Sequence, residues 1–188
     1  MRLHLIRHGM TEANRKRRYC GSTDIPLSEE GRLELVSNMA AISYPKADVY
    51  ISSGMARATE TLRVIYDRQP DLIMREFREM DFGDFEMKSH DELSGNPVYE
   101  RWMSELGAGT CPNGESFAEF EERISAGLAK LREMPFGSAV VISHGGVAVS
   151  IMELLFPGQR SYFDWQPANG RGYTMDISPV DAVLVSEI

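Results

Sequence analysis

An arginine and a histidine follow a short apolar run near the start of the chain. The run from Leu3 to Ile6 is typical of a buried strand, and Arg7, His8 and Gly9 come directly after it. In an open α/β sheet, ligands bind just beyond the carboxyl ends of the strands. The guanidinium of Arg7 offers a fork of donors that matches a carboxylate or phosphate, and His8 offers a nitrogen nucleophile. The pair therefore suggests a site that binds an anion and attacks it, while the same residues alone fit an ordinary turn equally well.

Two further predicted strands end in polar residues of the same kinds. The strand predicted over residues 48–52 leads through a small-residue turn into a helix with Arg57 in its first turn. The apolar strand predicted over residues 139–143 is followed at once by His144. Parallel strands place their carboxyl ends on one edge of a sheet, so these side chains can converge with the first pair. Taken alone, Arg57 fits a solvated position and His144 fits a core or turn position. Taken together with Arg7 and His8, the four residues fit the site of a single reaction.

The rest of the chain alternates between predicted strands and predicted helices. Ser28 is expected to cap a helix with an apolar stripe of helical spacing, formed by Leu35, Val36, Met39, Ala40 and Ile42. Capping boxes predict helix starts at residues 89–92 and 116–119, and short strands are predicted over 71–75, 173–177 and 182–185. This alternation predicts an α/β fold, a three-layer α/β/α sandwich with a mostly parallel central sheet, in a single domain over residues 1–188. Residues 77–114, with weak periodicity, are expected to form loops and short helices that cover the site.

The composition of the chain limits the classes of protein to which it can belong. The chain has 188 residues and a formal net charge of −8, from 28 acidic and 20 basic residues, which argues against nucleic acid or an anionic membrane as partner. The two cysteines suggest neither a disulfide framework nor a metal site, and no signal peptide or membrane span is evident. A cytoplasmic protein is expected. The basic run at residues 15–18 fits either a solvated helix face or a rim that attracts an anionic substrate, and the oligomeric state is left open.

Several segments, in order along the chain, resemble the histidine phosphatase superfamily in its phosphoglycerate mutase-like branch. They are Leu5-Ile6-Arg7-His8-Gly9-Met10-Thr11-Glu12-Ala13-Asn14, Gly21-Ser22-Thr23-Asp24-Ile25-Pro26-Leu27-Ser28, Ser52-Ser53-Gly54-Met55-Ala56-Arg57-Ala58-Thr59-Glu60-Thr61, Phe77-Arg78-Glu79-Met80-Asp81-Phe82-Gly83-Asp84-Phe85-Glu86, Gly114-Glu115-Ser116 and Ser143-His144-Gly145-Gly146. The resemblance runs through almost the whole chain and implies the phosphoglycerate mutase-like fold.

The resemblance implies a metal-independent phosphatase that acts on a small phosphomonoester. In it, His8 would be the nucleophile and become a phosphohistidine, while Arg7, Arg57 and His144 would hold the phosphoryl oxygens. Glu79 would donate a proton to the leaving oxygen and afterwards activate water. Substrate binding is expected at five further positions: Gly9, Thr11, Asn14, Gly21 and Gly145. Neither a cofactor nor a metal is implied, because fixed positive donors stabilise the developing charge in place of Mg²⁺.

The role of proton donor requires that the pKa of Glu79 be suitable for an acid. A general acid works best when its pKa lies near the working pH. Glu79 lies close in sequence to Glu76, Asp81 and Asp84, and like charges raise the pKa of a carboxyl group. We therefore expect its acidic neighbours to raise the pKa of Glu79.

The chain departs from the family pattern at two places. The family often has glycine after the position of Glu86, where this chain has Met87. The segment after Gly146 often carries an arginine, and here Ala148, Val149 and Ser150 occupy it. Both departures bear on the shape of the substrate site rather than on the chemistry.

Three other functions compete with hydrolysis. A metal site at His4 and His8 is rejected, because four residues of strand separate them by about 13 Å. A phosphoglycerate mutase-type phosphoryl transfer is less favoured, because mutases that resemble this chain are usually longer. A non-catalytic module that binds a phosphorylated ligand would be expected to lack His8 or Glu79.

Two short segments further resemble α-ribazole phosphatase-like members of the family, which serve cobalamin biosynthesis. They are Gly114-Glu115-Ser116 and the late Asp164-Trp165-Gln166. The favoured substrate is therefore α-ribazole 5′-phosphate.

Overall fold

A mixed sheet forms the centre of the computed structural model, which describes residues 1–104, 109–178 and 180–188. Its strands are β1 (Arg2–Arg7), β2 (Val49–Ser52), β3 (Leu72–Ile73), β4 (Ser138–Ser143), β5 (Gly172–Ile177) and β6 (Ala182–Glu187). They lie in the order β3-β2-β4-β1-β5-β6. Strands β3, β2, β4 and β1 pair in parallel, whereas β5 is antiparallel to both β1 and β6. The prediction of a mostly parallel sheet is confirmed.

Helices follow most of these strands. They are α1 (Glu12–Arg15), α2 (Glu29–Ala41), α3 (Ala56–Tyr66), α4 (His90–Leu93), α5 (Pro97–Ser104), α6 (Phe117–Arg132) and α7 (Gly145–Leu155). The predicted caps are confirmed: Ser28 accepts from Gly31, and Ser89 and Ser116 each form a capping box. Within the described ranges, no helix combines the length and the apolar character needed to cross a membrane.

Alternation along the strands explains why helices cover both faces of the sheet. In β4, Ala139 and Val141 belong to one buried cluster, while Val140 and Ile142 belong to another. Successive strand residues point to opposite faces, so each face carries its own apolar surface. Helices α6 and α7 contribute to the first cluster and α3 to the second, and α2 packs on α3. The predicted α/β sandwich is therefore confirmed.

The apolar stripe predicted for α2 is wrong in part. Leu35 is buried, but Val36 and Met39 are 57% and 43% exposed, and Ile42 lies in extended backbone beyond the end of the helix. Leu35 and Gly31 are the buried residues of α2, because its other apolar side chains are spread around the helix rather than along one face. A run of apolar residues at helical spacing thus overestimated the buried surface.

The described part of the segment from residue 77 to residue 114 consists of loops and short elements. It includes a 3₁₀ turn at Gly83–Phe85 and the helices α4 and α5, while residues 105–108 of the prediction lie outside the described residues. Two main-chain hydrogen bonds join it to the first loop, from Met87 N to Tyr19 O at 2.7 Å and from Tyr19 N to Lys88 O at 3.0 Å. Met87 has a φ of 59°, in the left-handed region. The position where the family often has glycine is therefore one where glycine is the least strained residue.

Candidate active site

The carboxyl ends of β1 and β4 bring the two predicted histidines together. Arg7 is in register with Ser143, and the main-chain nitrogen of His8 donates to the Ser143 carbonyl at 2.9 Å. As a result the rings of His8 and His144 lie with centroids 5.1 Å apart, edge to face. The convergence of β1 and β4, which the sequence predicted from the strand ends, is present.

His8 is held as a neutral imidazole with one free nitrogen. Its Nδ1 lies 2.7 Å from the carbonyl oxygen of Gly9, which can only accept, so Nδ1 carries the proton and Nε2 has the lone pair. Burial lowers the pKa of His8 well below its ordinary value, and the neighbouring charges of Arg57 and Arg7 lower it further. The Gly9 bond opposes this shift without cancelling it. A neutral ring with a free Nε2 is the form required of a nucleophile.

Arg57 lies at the start of α3 with its side chain 1% exposed. Its Nη1 donates to the carbonyl of Thr23 at 2.9 Å, and its Nη2 donates to the carbonyls of Gly21 at 2.8 Å and Cys20 at 3.3 Å. These acceptors hold the guanidinium beside the histidine pair. The loop at residues 20–23 is therefore part of the support of the site.

Both ring nitrogens of His144 have protein partners. Arg57 Nε donates to His144 Nδ1 at 3.2 Å, so Nε2 carries the proton and donates to Ser53 Oγ at 2.8 Å. Burial lowers the pKa of His144 well below its ordinary value, with the positive charge of Arg57 as the next cause. His144 is thus a neutral ring that links Ser53 to the Arg57 guanidinium. Ser53 was not assigned a role from the sequence.

Arg7 keeps donors that no protein group uses. Its Nη1 donates to the Pro167 carbonyl at 2.8 Å, whereas its Nε is buried and has no partner among the described residues. A Cβ at position 145 would come within 3.3 Å of the Arg7 guanidinium and 2.9 Å of Gln166 Nε2, so glycine at that position lets the guanidinium pack closely. An unsatisfied guanidinium beside the start of α7 favours binding of an anion.

Glu79 faces the same site from the segment after β3. Its Oε2 accepts from Gly146 N at 2.9 Å and its Oε1 from Met80 N at 3.1 Å. A Cβ at position 146 would lie 2.5 Å from Oε1, so the glycine there makes room for the carboxyl group. The structure thus places the Glu79 carboxyl group against the first turn of α7, next to His144.

The pKa of Glu79 is raised, but the predicted cause is wrong. Burial raises it, while hydrogen bonds from Gly146 and Met80 and the nearby arginines lower it, so the acidic neighbours are not the source. Those neighbours are engaged elsewhere: Glu76 pairs with Lys130, and Asp81 accepts from Ser22 Oγ at 2.8 Å. Desolvation of a buried carboxyl favours its neutral form whatever the sequence around it.

An arginine on α6 holds the main chain around Glu79 and was missed from the sequence. Arg123 makes a two-bond contact with Glu115, at 2.9 and 2.7 Å. Its Nη1 also donates to the carbonyls of Glu76 and Arg78, and its Nη2 to that of Glu79 at 3.4 Å. Glu115 belongs to a segment that carried the family resemblance, which was a usable signal, whereas nothing around Arg123 distinguished it from other helix-surface arginines.

The predicted substrate-binding residues divide into two groups. Asn14 and Gly145 line the cavity beside His8. Thr11 caps α1 and donates to Asn14 Oδ1 at 3.0 Å, which fixes the Asn14 amide. Gly9 donates its N–H to Thr61 Oγ1 at 2.9 Å, and Gly21 donates its own to Glu86 Oε1 at 2.9 Å. Thr11, Gly9 and Gly21 therefore support the residues of the site, and their polar groups are already in use.

A cavity of about 380 Å³ opens in front of His8 and Glu79. The rest of its lining is mainly aromatic and apolar, formed by Tyr19, Phe82, Trp102, Met103, Phe117, Phe120, Val149, Tyr162 and Phe163. Val149 is one of the residues that replace the arginine often found after Gly146. The cavity thus combines the polar groups of the site with an extensive aromatic and apolar wall. This arrangement fits an anionic group attached to a flat or apolar remainder.

His4, the other histidine on β1, serves the packing of the sheet. Its Nδ1 lies 2.9 Å from Thr174 Oγ1 on β5, and the residue is 5% exposed. Across the part of the chain that the structure describes, no group of three or more histidine, cysteine or acidic side chains is arranged to hold a metal ion.

Comparisons with known proteins agree with this geometry. The family described as "Histidine phosphatase superfamily (branch 1)" matches residues 3–185. The adenosylcobalamin/alpha-ribazole phosphatase of Escherichia coli K12 is 37% identical over 191 residues, which cover 98% of this chain and 94% of that protein. The crystal structure of the alpha-ribazole phosphatase from Shigella flexneri superposes with a TM-score of 0.86 at 31% identity, covering 98% of this chain and 95% of that one. That of a phosphoglycerate mutase from Thermus thermophilus gives 0.76 at 29% identity, covering 99% of each chain.

Proposed function

The chain belongs to the histidine phosphatase superfamily, branch 1, and from that we propose that it hydrolyses a small phosphomonoester through a phosphohistidine on His8. In this proposal the whole chain acts as one histidine phosphatase domain, with residues 77–114 covering the site. The bond between His8 Nδ1 and the Gly9 carbonyl carries the proposal, because it leaves Nε2 of a residue that lines the cavity free to attack.

The reaction has two steps. In the first, Nε2 of His8 forms a bond to phosphorus while the bond from phosphorus to the leaving oxygen breaks, and Glu79 gives its proton to that oxygen. In the second, a water molecule attacks phosphorus, Glu79 takes its proton, and the bond to Nε2 breaks to release inorganic phosphate. Glu79 thus ends the cycle protonated, and its raised pKa supports the role of acid.

Arg7 and Arg57 are the proposed holders of the phosphoryl oxygens. Phosphoryl transfer places negative charge on these oxygens, and fixed guanidinium groups stabilise it without reorganisation. The unpartnered Nε of Arg7 supports its assignment. The Nε2–H of His144 already donates to Ser53 and could donate to a phosphoryl oxygen only if that hydrogen bond broke. In the present arrangement His144 therefore acts by orienting Arg57 through Nδ1. Asn14, whose amide oxygen is fixed by Thr11, is proposed to donate through Nδ2.

We propose α-ribazole 5′-phosphate as the substrate. It joins a phosphate to a nucleoside with a flat benzimidazole base, which matches a cavity whose lining combines the donors of the site with aromatic side chains. The names of the E. coli and Shigella relatives point the same way. A phosphoglycerate mutase would also have to hold a small, highly charged acceptor, and apart from the catalytic groups Arg18 is the one cationic residue described in this cavity.

Two measurements test the proposal. Phosphate release from a panel containing α-ribazole 5′-phosphate, 3-phosphoglycerate and p-nitrophenyl phosphate should show hydrolysis, with α-ribazole 5′-phosphate giving the highest kcat/KM. Rapid quench with a ³²P-labelled substrate should trap acid-labile, base-stable label on the protein.

Matched variants make the second measurement specific. His8→Ala should abolish the label, whereas His90→Ala, at an exposed position on α4, should retain it. Undiminished labelling in His8→Ala would refute the phosphohistidine. Transfer of label to a second phosphoglycerate, rather than to water, would favour the mutase instead.

A further inference from the structure

A second cavity, of about 550 Å³, shares only Glu79 with the catalytic cavity among their lining residues. Its walls come from Ser22, from Met55, from the segment 75–81 and from the segment 113–123. Three of the lining residues are arginines, Arg75, Arg78 and Arg123. The catalytic proposal uses none of the space in this cavity.

A tight wall separates the two cavities. A Cβ at Gly21 would lie 1.6 Å from the Met80 carbonyl oxygen, so the two backbones are in direct contact. Glu86 Oε1 closes the wall by accepting from Gly21 N, Ser22 N and Phe82 N at 2.9 to 3.1 Å. Apart from Glu79, a ligand in the second cavity would therefore contact none of the residues that line the catalytic cavity.

The acidic residues of the second cavity already have donors. Asp81 accepts from Ser22 Oγ at 2.8 Å and from Gly83 N at 2.9 Å. Glu115 is bound by Arg123, and Glu119 accepts from Ser116 N and Oγ at 2.9 and 2.6 Å in the capping box of α6. Arg123 thus neutralises Glu115, while the carboxylates of Asp81 and Glu119 are held in fixed orientations by neutral donors.

Two of the arginines have no acidic partner. Within the described residues, neither Arg75 nor Arg78 makes an ion pair, and the side-chain hydrogen bond of Arg78 is a long one, from Nε to Ser53 O at 3.4 Å. The third arginine is used by Glu115 and by main-chain carbonyls. The cavity therefore has two guanidinium groups that no carboxylate of the described residues binds.

We propose that Arg75 and Arg78 form a second anion site, which binds a phosphate group. Planar guanidinium groups match the oxygens of a phosphate in pairs, and the donors of Arg75 and Arg78 are not held by any carboxylate of the described residues. The site is connected with the catalytic centre, because Ser53 accepts from Arg78 through its carbonyl and from His144 through its hydroxyl. The phosphate group comes either as inorganic phosphate or on an organic molecule.

Arginine side-chain NMR tests this proposal without using turnover. In ¹⁵N-labelled protein, the Nε–Hε signals of Arg75 and Arg78, assigned through Arg75→Gln and Arg78→Gln, should shift and saturate together as inorganic phosphate is added. The response should persist in Arg7→Gln, which disables the catalytic anion site. Arg63 is the matched control, because it is an exposed arginine on α3 that lies outside both cavities.

The outcomes separate the alternatives. In Arg75→Gln, the affinity reported by Arg78 should fall about tenfold or more, whereas Arg63→Gln should leave it unchanged. Saturation by methylphosphonate as well as phosphate would identify an organic phosphate as an acceptable ligand, and saturation by phosphate alone would identify the free ion. The proposal is overturned if Arg75 and Arg78 shift no more than Arg63, or if Arg7→Gln removes their response. Neither result depends on whether His8 is a nucleophile.

Discussion

Acid should destabilise this protein through the two histidines of its site. His8 is 5% exposed and His144 is fully buried, and the folded structure lowers the pKa of both well below the ordinary 6.5. Above pH 6.5 both rings are neutral in the folded and the unfolded chain. Below it, the unfolded chain binds two protons that the folded protein does not bind. Stability should therefore fall as the pH drops from 6.5 toward the folded pKa values.

The size of the loss follows from linkage. One proton bound only by the unfolded state changes the free energy of unfolding by about 1.4 kcal/mol per pH unit once the pH is below the unfolded pKa. Integrated from about pH 7 to about pH 5.5, this gives about 1.3 kcal/mol for each ring and about 2.5 kcal/mol for both. His4, whose pKa burial also lowers, acts with the same sign. Glu79 acts with the opposite sign, because its raised pKa lets the folded state take up a proton first.

Urea unfolding at the two pH values measures this quantity directly. The two rings should together contribute up to about 2.5 kcal/mol to the loss of unfolding free energy in wild type, and His8→Gln or His144→Gln should each remove about half of that contribution. His90→Gln, at an exposed histidine, should leave the dependence as in wild type. The reasoning fails if wild type is equally stable at both pH values, or if the double variant His8→Gln/His144→Gln shows the full loss.

Three further predictions concern catalysis and the cover. Glu79→Gln should slow the turnover of substrates with alkoxide leaving groups by about 10²- to 10⁴-fold. Burst kinetics should show that phosphorylation of His8 by p-nitrophenyl phosphate slows far less, because that leaving group needs little protonation. If Asp81→Asn gives this pattern and Glu79→Gln does not, Asp81 is the general acid. Exhaustive EDTA treatment should leave the rate unchanged, because arginines supply the positive charge, and a collapse reversed by Mg²⁺ or Zn²⁺ would contradict this. Met87→Gly should stabilise the protein by about 0.5 to 1 kcal/mol in thermal unfolding, since it relieves a left-handed backbone at φ 59°, whereas Lys88→Gly should destabilise it.

The strand ends were the part of the site that the sequence could predict. An apolar run that stops at Arg7-His8 and another that stops at His144 need only a parallel sheet to meet, and β1 and β4 are neighbours in that sheet. Arg57 follows from the same rule, because β2 lies on the other side of β4. Local periodicity, with the rule that parallel strands end on one edge of a sheet, was therefore enough to predict that these four residues lie together.

The use of each polar atom could not be predicted in this way. The N–H of Gly9 is taken by Thr61, 52 residues away, and the main chain of Glu79 by Arg123, 44 residues away. Such contacts depend on how α3 and α6 are placed against the sheet, and no local pattern encodes them. The same limit explains why the cause of the raised pKa of Glu79 was predicted wrongly. The sequence shows which acidic residues are its neighbours along the chain, but the pKa is raised by burial, which depends on the folded structure.

The attachment of Arg57 to the loop at residues 20–23 has a consequence for how such an enzyme diversifies. The three acceptors on that loop are carbonyl oxygens, which every amino acid supplies. Replacing the side chain of Cys20, which lines the catalytic cavity, therefore removes no support from the arginine. Selection on a library at this position can alter which molecule enters the cavity while the apparatus for phosphoryl transfer is inherited intact.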